Sequence, residues 1–244
     1  MEWSDSGIVL SARPHGETSA IVEALTHQHG RHLGLVRGGH SRRKRPELQP
    51  GNTLALVWRA RLSDHLGNFA AEPMRLRAGD LLDRKQSLIG LNAFAAVASA
   101  ALPEREAHPG LFEAGEVLLE AMAKGTIKDW GPLYVRWEAG LLDALGFGLD
   151  LSQCAVSGSR EDLAYVSPRS GRAVSVQAGA PYRERLLSLP GFLLGSQNGD
   201  IPASDVAAGL DLTGTFLAER VLHFHNRQMP ASRRRLAELA CESE

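Results

Sequence analysis

The residues best placed to do chemistry in this chain are cations. Arg42, Arg43, Lys44 and Arg45 form one run, and Arg37 precedes it across the flexible pair Gly38-Gly39. Between Arg31 and Arg61 there are eight Lys or Arg residues against one acid, Glu47, so this stretch is +7 and the remainder −8 of a formal total of −1. A local excess of guanidinium suits phosphate, because each Arg can fork two donors onto one group. A polyanion is the ligand this pattern points to; the alternative is a solvated loop that only keeps the surface soluble. A second basic cluster comprises Arg220, Arg227 and Arg233-Arg234-Arg235, with no acid between Arg220 and Arg235.

Other chemistries find little support. Two cysteines, Cys154 and Cys241, cannot build a disulfide framework or a four-thiolate zinc site. The pairs His27-x-His29 and His223-x-His225 lack a third ligand, and the second falls in a helical pattern, where residues two apart diverge. There is no G-x-x-x-x-G-K-[ST] loop and no G-x-S-x-G elbow, and the G-x-G at Gly146 to Gly148 lacks a strand-to-helix context. Nothing assembles a nucleophile, a base and an oxyanion site, so an enzyme is not expected. Neither a metal nor another cofactor is expected.

The elements that must position the cations change character along the chain. Up to about residue 78 the pattern is short β-type segments at 7–11, 19–25, 34–37 and 53–58, with a weaker one around Phe69. Leu54, Leu56 and Trp58 alternate with Ala55, Val57 and Arg59, and turns fall at His29-Gly30 and Pro50-Gly51. Five short strands in so little chain suit a small barrel, closed so that no edge is left unpaired. The basic run then lies on a loop between the third and fourth strands. From Leu81 the period is helical: Leu81, Leu88, Leu91, Ala95, Ala98 and Leu102 mark one face, closed by Pro103. Further helices are expected over 111–124, stopped by Gly125, over 132–146 from Pro132, and along Leu210, Leu217, Val221 and Phe224. Residues 148–179 are Gly/Ser-rich and aperiodic, with Leu163, Tyr165 and Val174 as apolar anchors. The expected fold is α+β: a five-stranded barrel domain over 1–78 and a mainly helical domain over 79–244.

With 43% hydrophobic and 23% charged residues, the chain reads as folded rather than disordered. Its N-terminus has acids where a signal peptide is basic, and no apolar run approaches the roughly 20 residues of a membrane helix. A soluble, cytoplasmic protein without membrane contact is expected.

Several stretches, in order along nearly the whole chain, resemble the RecO family of bacterial DNA repair proteins in its α-proteobacterial form. They are GIVLSARPHGETSAIVEALTHQHGRHLGLVRGG with SRRKRPELQPGN, LNAFAAVASAALPERE, DWGPLYVRWEAGLLDALGFGLDLSQCAVSG, DLAYVSPRSGRAVS and GLDLTGTFLAERVL. The resemblance implies an N-terminal OB-fold, a helical domain, and a recombination mediator without catalytic turnover. Such proteins bind single- and double-stranded DNA, anneal complementary strands, and act with RecR to load RecA onto strands coated by single-strand-binding protein (SSB). On that likeness Arg37 and Arg42 to Arg45 match the family's basic loop, with Arg13, Arg59 and Arg61 as weaker candidates; a nucleoid location follows. A scaffold role with little direct DNA contact is the competing reading. For the acidic, apolar-ended SSB tail, the helical domain is expected to offer Arg220, Val221, Phe224 and Arg227. Many relatives carry a zinc module of two C-x-x-C pairs. Here the positions read Cys154-Ala155-Val156-Ser157 and Ser175-Val176-Gln177-Ala178, so a zinc-finger-like insertion without zinc is expected over 148–179.

Overall fold

A computed structural model of the chain describes residues 1–195 and 201–242, which fall into two compact units, Met1–Lys124 and Gly125–Glu244. In the first, β1 (Glu2–His15), β2 (Ser19–Thr26), β3 (Gly30–Val36), β4 (Thr53–Arg59) and β5 (Asn68–Arg75) close into a barrel of order β1-β2-β3-β5-β4. The expected five-stranded barrel is therefore present. Its first strand is longer than the sequence pattern suggested, because β1 pairs with β4 through its first half and with β2 through its second. A register shift between Val9 and Ser11 supplies the bend that lets one strand serve two partners.

The alternation in β4 is as read: Leu54, Leu56 and Trp58 are buried, while Ala55 and Val57 are half-buried and Arg59 is exposed. With Val9, Val22, Ala24, Phe69 and Ala71 they form the barrel interior. Closure depends on a seam where β3 and β5 meet in parallel at Leu35 and Asn68, and Leu35 N–H donates to Gly67 O at 3.0 Å. Gly34 sits under the Phe69 ring, where any Cβ would collide.

The segment between β3 and β4 is not a plain loop. Lys44–Glu47 forms one helical turn, α1, started by Ser41, whose carbonyl accepts Arg45 N–H at 3.0 Å and whose hydroxyl accepts Lys44 N–H at 3.3 Å. The reason is Leu48, buried in the barrel core: a helical turn brings that side chain back over the barrel opening. Of the two glycines expected to act together as a hinge, only Gly38 turns the chain, with φ +68°. Gly39 is a packing position, where a Cβ would stand 2.9 Å from Ala20 and 3.0 Å from Leu48.

Helices α2 (Ala78–Leu82), α3 (Lys85–Ala101) and α4 (Pro109–Lys124) belong to the same compact unit as the barrel. The single long helix expected from Leu81 is thus divided, with Leu81 in α2. Arg77 fixes this junction from a buried position, donating to Glu116 Oε2 at 2.9 Å and to Thr53 Oγ1 at 3.1 Å.

In the second unit α5 (Ile127–Ala144) begins five residues before Pro132, the expected start. The missed signal is Thr126-x-x-Asp129: the Asp129 carboxylate accepts the Thr126 N–H at 2.7 Å and its hydroxyl at 2.9 Å, which caps the helix and holds that carboxyl below its usual range. Pro132, the sixth helical residue, lies inside the helix and leaves it one i→i−4 donor short, toward the Lys128 carbonyl. Residues 148–179 contribute β6 (Leu163–Val166), β7 (Ala173–Ser175) and α6 (Val176–Gly179), and with β8 (Leu187–Ser188) give a sheet of order β7-β6-β8. Val174 is buried as expected; Leu163 and Tyr165 are half-buried, and Cys154 and Val166 are the deeper anchors.

The C-terminal helical run is α7 (Ala203–Phe216), a π-helical segment over Leu217–Leu222, a 3-10 turn over His223–His225, and α8 (Ala231–Glu242). Arg233 turns inward from the expected basic cluster. It is 2% exposed and forks onto the fully buried Glu138, Nε to Oε1 at 2.6 Å and Nη2 to Oε2 at 2.9 Å. Among the described residues no helix is long and apolar enough to cross a membrane.

Candidate nucleic-acid interface

Strand pairing brings Arg13 and the basic segment that starts at Arg37 to the same end of the barrel. Val36, at the end of β3, pairs with Ala20, and Ser19 pairs with His15, so the β1–β2 hairpin tip flanks the exit to Arg37. His40 N–H donates to Thr18 O at 2.9 Å, binding that tip to the basic segment. Arg13 lies on this hairpin, opposite Ile21. Arg59 ends β4 beside Glu2 at the start of β1 and Asn68 at the start of β5, so Arg59 and then Arg61 lie at the opposite strand ends from Arg13 and Arg37, with the staggered Leu35–Asn68 pair as the link between them.

The eight cations of this stretch are not equivalent. Arg31 is buried against Glu23, with Nη1 to Oε1 at 2.7 Å, and serves the fold. Lys44 donates Nζ to the Ala71 carbonyl of β5 at 2.6 Å and stands 3.5 Å from Glu47, so it tethers α1 to the barrel. Arg59 meets Glu2 at 2.8 Å, and this bond holds the Glu2 carboxyl below its usual range. That pair is exposed and weakly held, and an incoming phosphate can compete for the guanidinium. Arg37, Arg42, Arg43, Arg45, Arg61 and Arg13 are exposed and have no acidic partner among the described residues. The geometry thus separates a set available to a ligand from Lys44 and Arg31, which hold structure.

The aromatic rings of β4 and β5 are enclosed. Trp58 and Phe69 are 2% and 3% exposed. Trp3, which sequence reading passed over, is half-buried and stacked on His29 at 4.0 Å and on Trp58 at 5.6 Å. Asn52 was also missed. Its Nδ2 donates to Pro46 O at 2.9 Å and Glu47 O at 3.0 Å, which fixes the end of α1. Only the fold reveals this role, since an asparagine after Pro-Gly reads as a turn residue.

The residues expected to take an acidic tail are not brought together as a pocket. Val221 is 4% exposed and belongs to the core, Phe224 is 72% exposed, and Arg220 donates Nη2 to the Arg169 carbonyl. Arg227 is exposed. The pairing of charge with an apolar recess occurs elsewhere in the same unit. A groove of about 630 Å³ is lined by Arg136, Leu149, Leu151, Phe192 and Leu193, together with Asp143. Arg136 donates to the Phe192 carbonyl at 2.9 Å and lies 5.7 Å from the centre of its ring.

The zinc module implied by the resemblance does not fit the residues present. Cys154 Sγ accepts bonds from Ser157 N–H at 3.5 Å, Ser175 N–H at 3.3 Å and the Ser175 hydroxyl at 3.4 Å. The remaining thiolate positions hold Ser157, Ser175 and Ala178, which are not zinc donors. A hydrogen-bonded thiol occupies the place of a metal centre and joins residue 157 to β7.

The model for the recombination protein O N-terminal domain matches residues 1–76, and that for the recombination protein O C-terminal domain matches residues 86–229. DNA repair protein RecO of Caulobacter sp. (strain K31) is 54% identical over 233 residues, 96% of this chain and 95% of that protein. DNA repair protein RecO of Rhodospirillum rubrum is 52% identical over 241 residues, covering 98% and 96%. That of Caulobacter vibrioides (strain NA1000 / CB15N) is 51% identical over 244 residues, covering 100% and 99%. With its closed barrel and basic rim followed by a mainly helical region, the chain belongs to the recombination protein O family of DNA repair proteins.

Proposed function

We propose that this chain is a non-catalytic recombination mediator that binds single- and double-stranded DNA and anneals complementary strands. With RecR it promotes RecA loading on SSB-coated DNA, at the nucleoid. The observation that carries the reading is the set of exposed guanidiniums on the barrel, Arg13, Arg37, Arg42, Arg43, Arg45 and Arg61, without acidic partners among the described residues. Two strands repel as polyanions, and a surface that neutralises phosphates releases their counterions and lowers that repulsion. Base stacking adds little on the rim, since Trp58 and Phe69 are core residues. Affinity is therefore mainly electrostatic.

The groove beside Arg136 supports a partner role in the second unit. An acidic tail with an apolar end needs a cation beside an apolar recess, and Arg136 with Leu149, Leu151 and Phe192 supplies both. We assign the SSB tail to this groove in preference to the Arg220–Arg227 region. Titrating a fluorescent single strand against the full chain at several salt concentrations tests the main reading. A steep negative log–log slope together with annealing of complementary oligonucleotides is expected. Binding that is absent, or flat with salt, would leave the scaffold role instead.

A further inference from the structure

In the second unit an aromatic ring stands in solvent where the sequence pattern places it in the core. Leu210, Leu217 and Val221 are buried, but Phe224 is 72% exposed. A continuing α-helix would carry Phe224 onto the side of Val221, three residues earlier. Instead Leu217–Leu222 winds as a π-helix, in which residues five apart share a face, and Leu222 takes the buried position. The chain then tightens into the 3-10 turn and ends at Asn226 with φ +52°. A π segment and a 3-10 turn are each less favourable than α-helix, while the left-handed Asn226 is an ordinary helix stop. Their joint product is an outward Phe224, which itself gains nothing from folding. The arrangement makes sense if the ring meets something outside the chain.

Basic residues are its near neighbours along the chain. Arg220, one turn earlier, donates Nη2 to the Arg169 carbonyl and so brings the exposed Arg169 against this helix. A guanidinium has five N–H donors, so Arg220 keeps most of its capacity. Arg234 and Arg235 are exposed on α8, and Glu219 is the one acid from Leu217 to Arg235. The edge of the ring is met by His223, with centroids 6.4 Å apart.

We infer that Phe224, Arg220 and Arg169 form a second single-strand site, in which the ring stacks on a base and the guanidiniums hold the flanking phosphates. The inference rests on the DNA-binding function proposed above and gives it a second strand, one for each unit. A nucleotide uses an exposed ring face and adjacent cations together. An acidic peptide with an apolar end would need a recess, and Leu217 and Val221, which would line it, are closed into the core.

The test uses the full chain carrying Arg42→Gln, Arg43→Gln and Arg45→Gln, so that residual binding reports the second site. Adding Phe224→Ala is expected to lower the remaining affinity for oligothymidylate about tenfold, while Phe224→Trp preserves it. In the otherwise wild-type chain Phe224→Ala is expected to slow annealing without changing the thermal unfolding curve. Residual affinity and annealing that are both indifferent to Phe224→Ala would overturn the inference. So would a loss of binding to an acidic peptide with an apolar C-terminus while oligothymidylate binding stays intact. Failure of the barrel reading shows separately, as no loss of affinity when the three rim arginines alone are replaced.

Discussion

The side-chain carbonyl of Asn52 accepts the backbone N–H of Arg77 at 3.0 Å, and the same carboxamide gives its protons to Pro46 and Glu47. It also accepts Ala78 N–H at 2.9 Å. One buried side chain thus ends α1 and begins α2. Asn52→Ala leaves these backbone groups without partners, and a loss of about 2–4 kcal/mol is expected at a cost of 1–3 per orphaned buried group with partial relaxation. Urea unfolding measures it; a change within about 0.5 kcal/mol, as for an ordinary surface site, would contradict the role.

Separating the tether from the ligand-ready cations predicts unequal effects within one run of basic residues. Replacing Arg42, Arg43 and Arg45 by Gln is expected to flatten the single-strand log–log salt slope by about 2 units, at about 0.7 per phosphate. Lys44→Gln is expected to change the slope far less and to lower thermal stability instead, because it frees α1 from Ala71. Anisotropy titrations and melting curves on the two proteins distinguish these outcomes. Equal slopes for both variants would show that Lys44 is a phosphate ligand after all.

His32 makes the barrel sensitive to acid. Burial holds its imidazole below the usual value, aided by the nearby Arg105 and His29 and opposed by the bond to Leu33 O and by Glu104. An unfolded His titrates near about 6.5, so below that pH the unfolded chain binds more protons than the folded one. Stability is therefore complete above about pH 6.5 and declines as pH falls toward the lower folded value. His32→Gln is expected to flatten this part of the profile. Tryptophan emission, to which Trp58 contributes with its ring 5.0 Å from His32, can follow unfolding at each pH. A wild-type profile parallel to that of the mutant would exclude His32 as the cause.

In the second unit the Arg233–Glu138 pair is buried, with Thr213 and the Leu210 carbonyl completing its bonds. Arg233→Ala strands a carboxylate at zero exposure and is expected to cost about 3–5 kcal/mol. Joint replacement, Arg233→Met with Glu138→Leu, is expected to be much milder, since an apolar pair of similar volume avoids both desolvation costs. Chemical unfolding of the three proteins decides. A double variant as unstable as the single one would mean that packing, and not the stranded charge, dominates.

The barrel was legible in the sequence because period-two alternation and turn glycines are local signals. Leu54, Leu56 and Trp58 announced their shared face, and Gly30 and Gly51 their turns. The basic rim was legible as composition. What the sequence hid were roles decided by distant partners. Lys44 looked like its three neighbours until β5 supplied a carbonyl, and Arg233 looked like Arg234 until α5 supplied Glu138. Pro132 misled because a helix-starting residue also survives within the first turns, and the Thr126–Asp129 cap lay just upstream. Phe224 misled because a pattern of three- and four-residue steps assumes an unbroken α-helix, which the π segment does not keep.

The thiol at Cys154 bears on how the chain withstands its surroundings. Peroxide converts thiolates to sulfenic acids and disulfides, and a four-cysteine module damaged in this way loses its ligands. Here three of those positions carry Ser157, Ser175 and Ala178, which peroxide does not attack, and the surviving sulfur is 1% exposed. The exposed Cys241 remains to react, at the far end of α8. At the place of that module the second unit thus offers an oxidant one enclosed sulfur instead of four metal ligands.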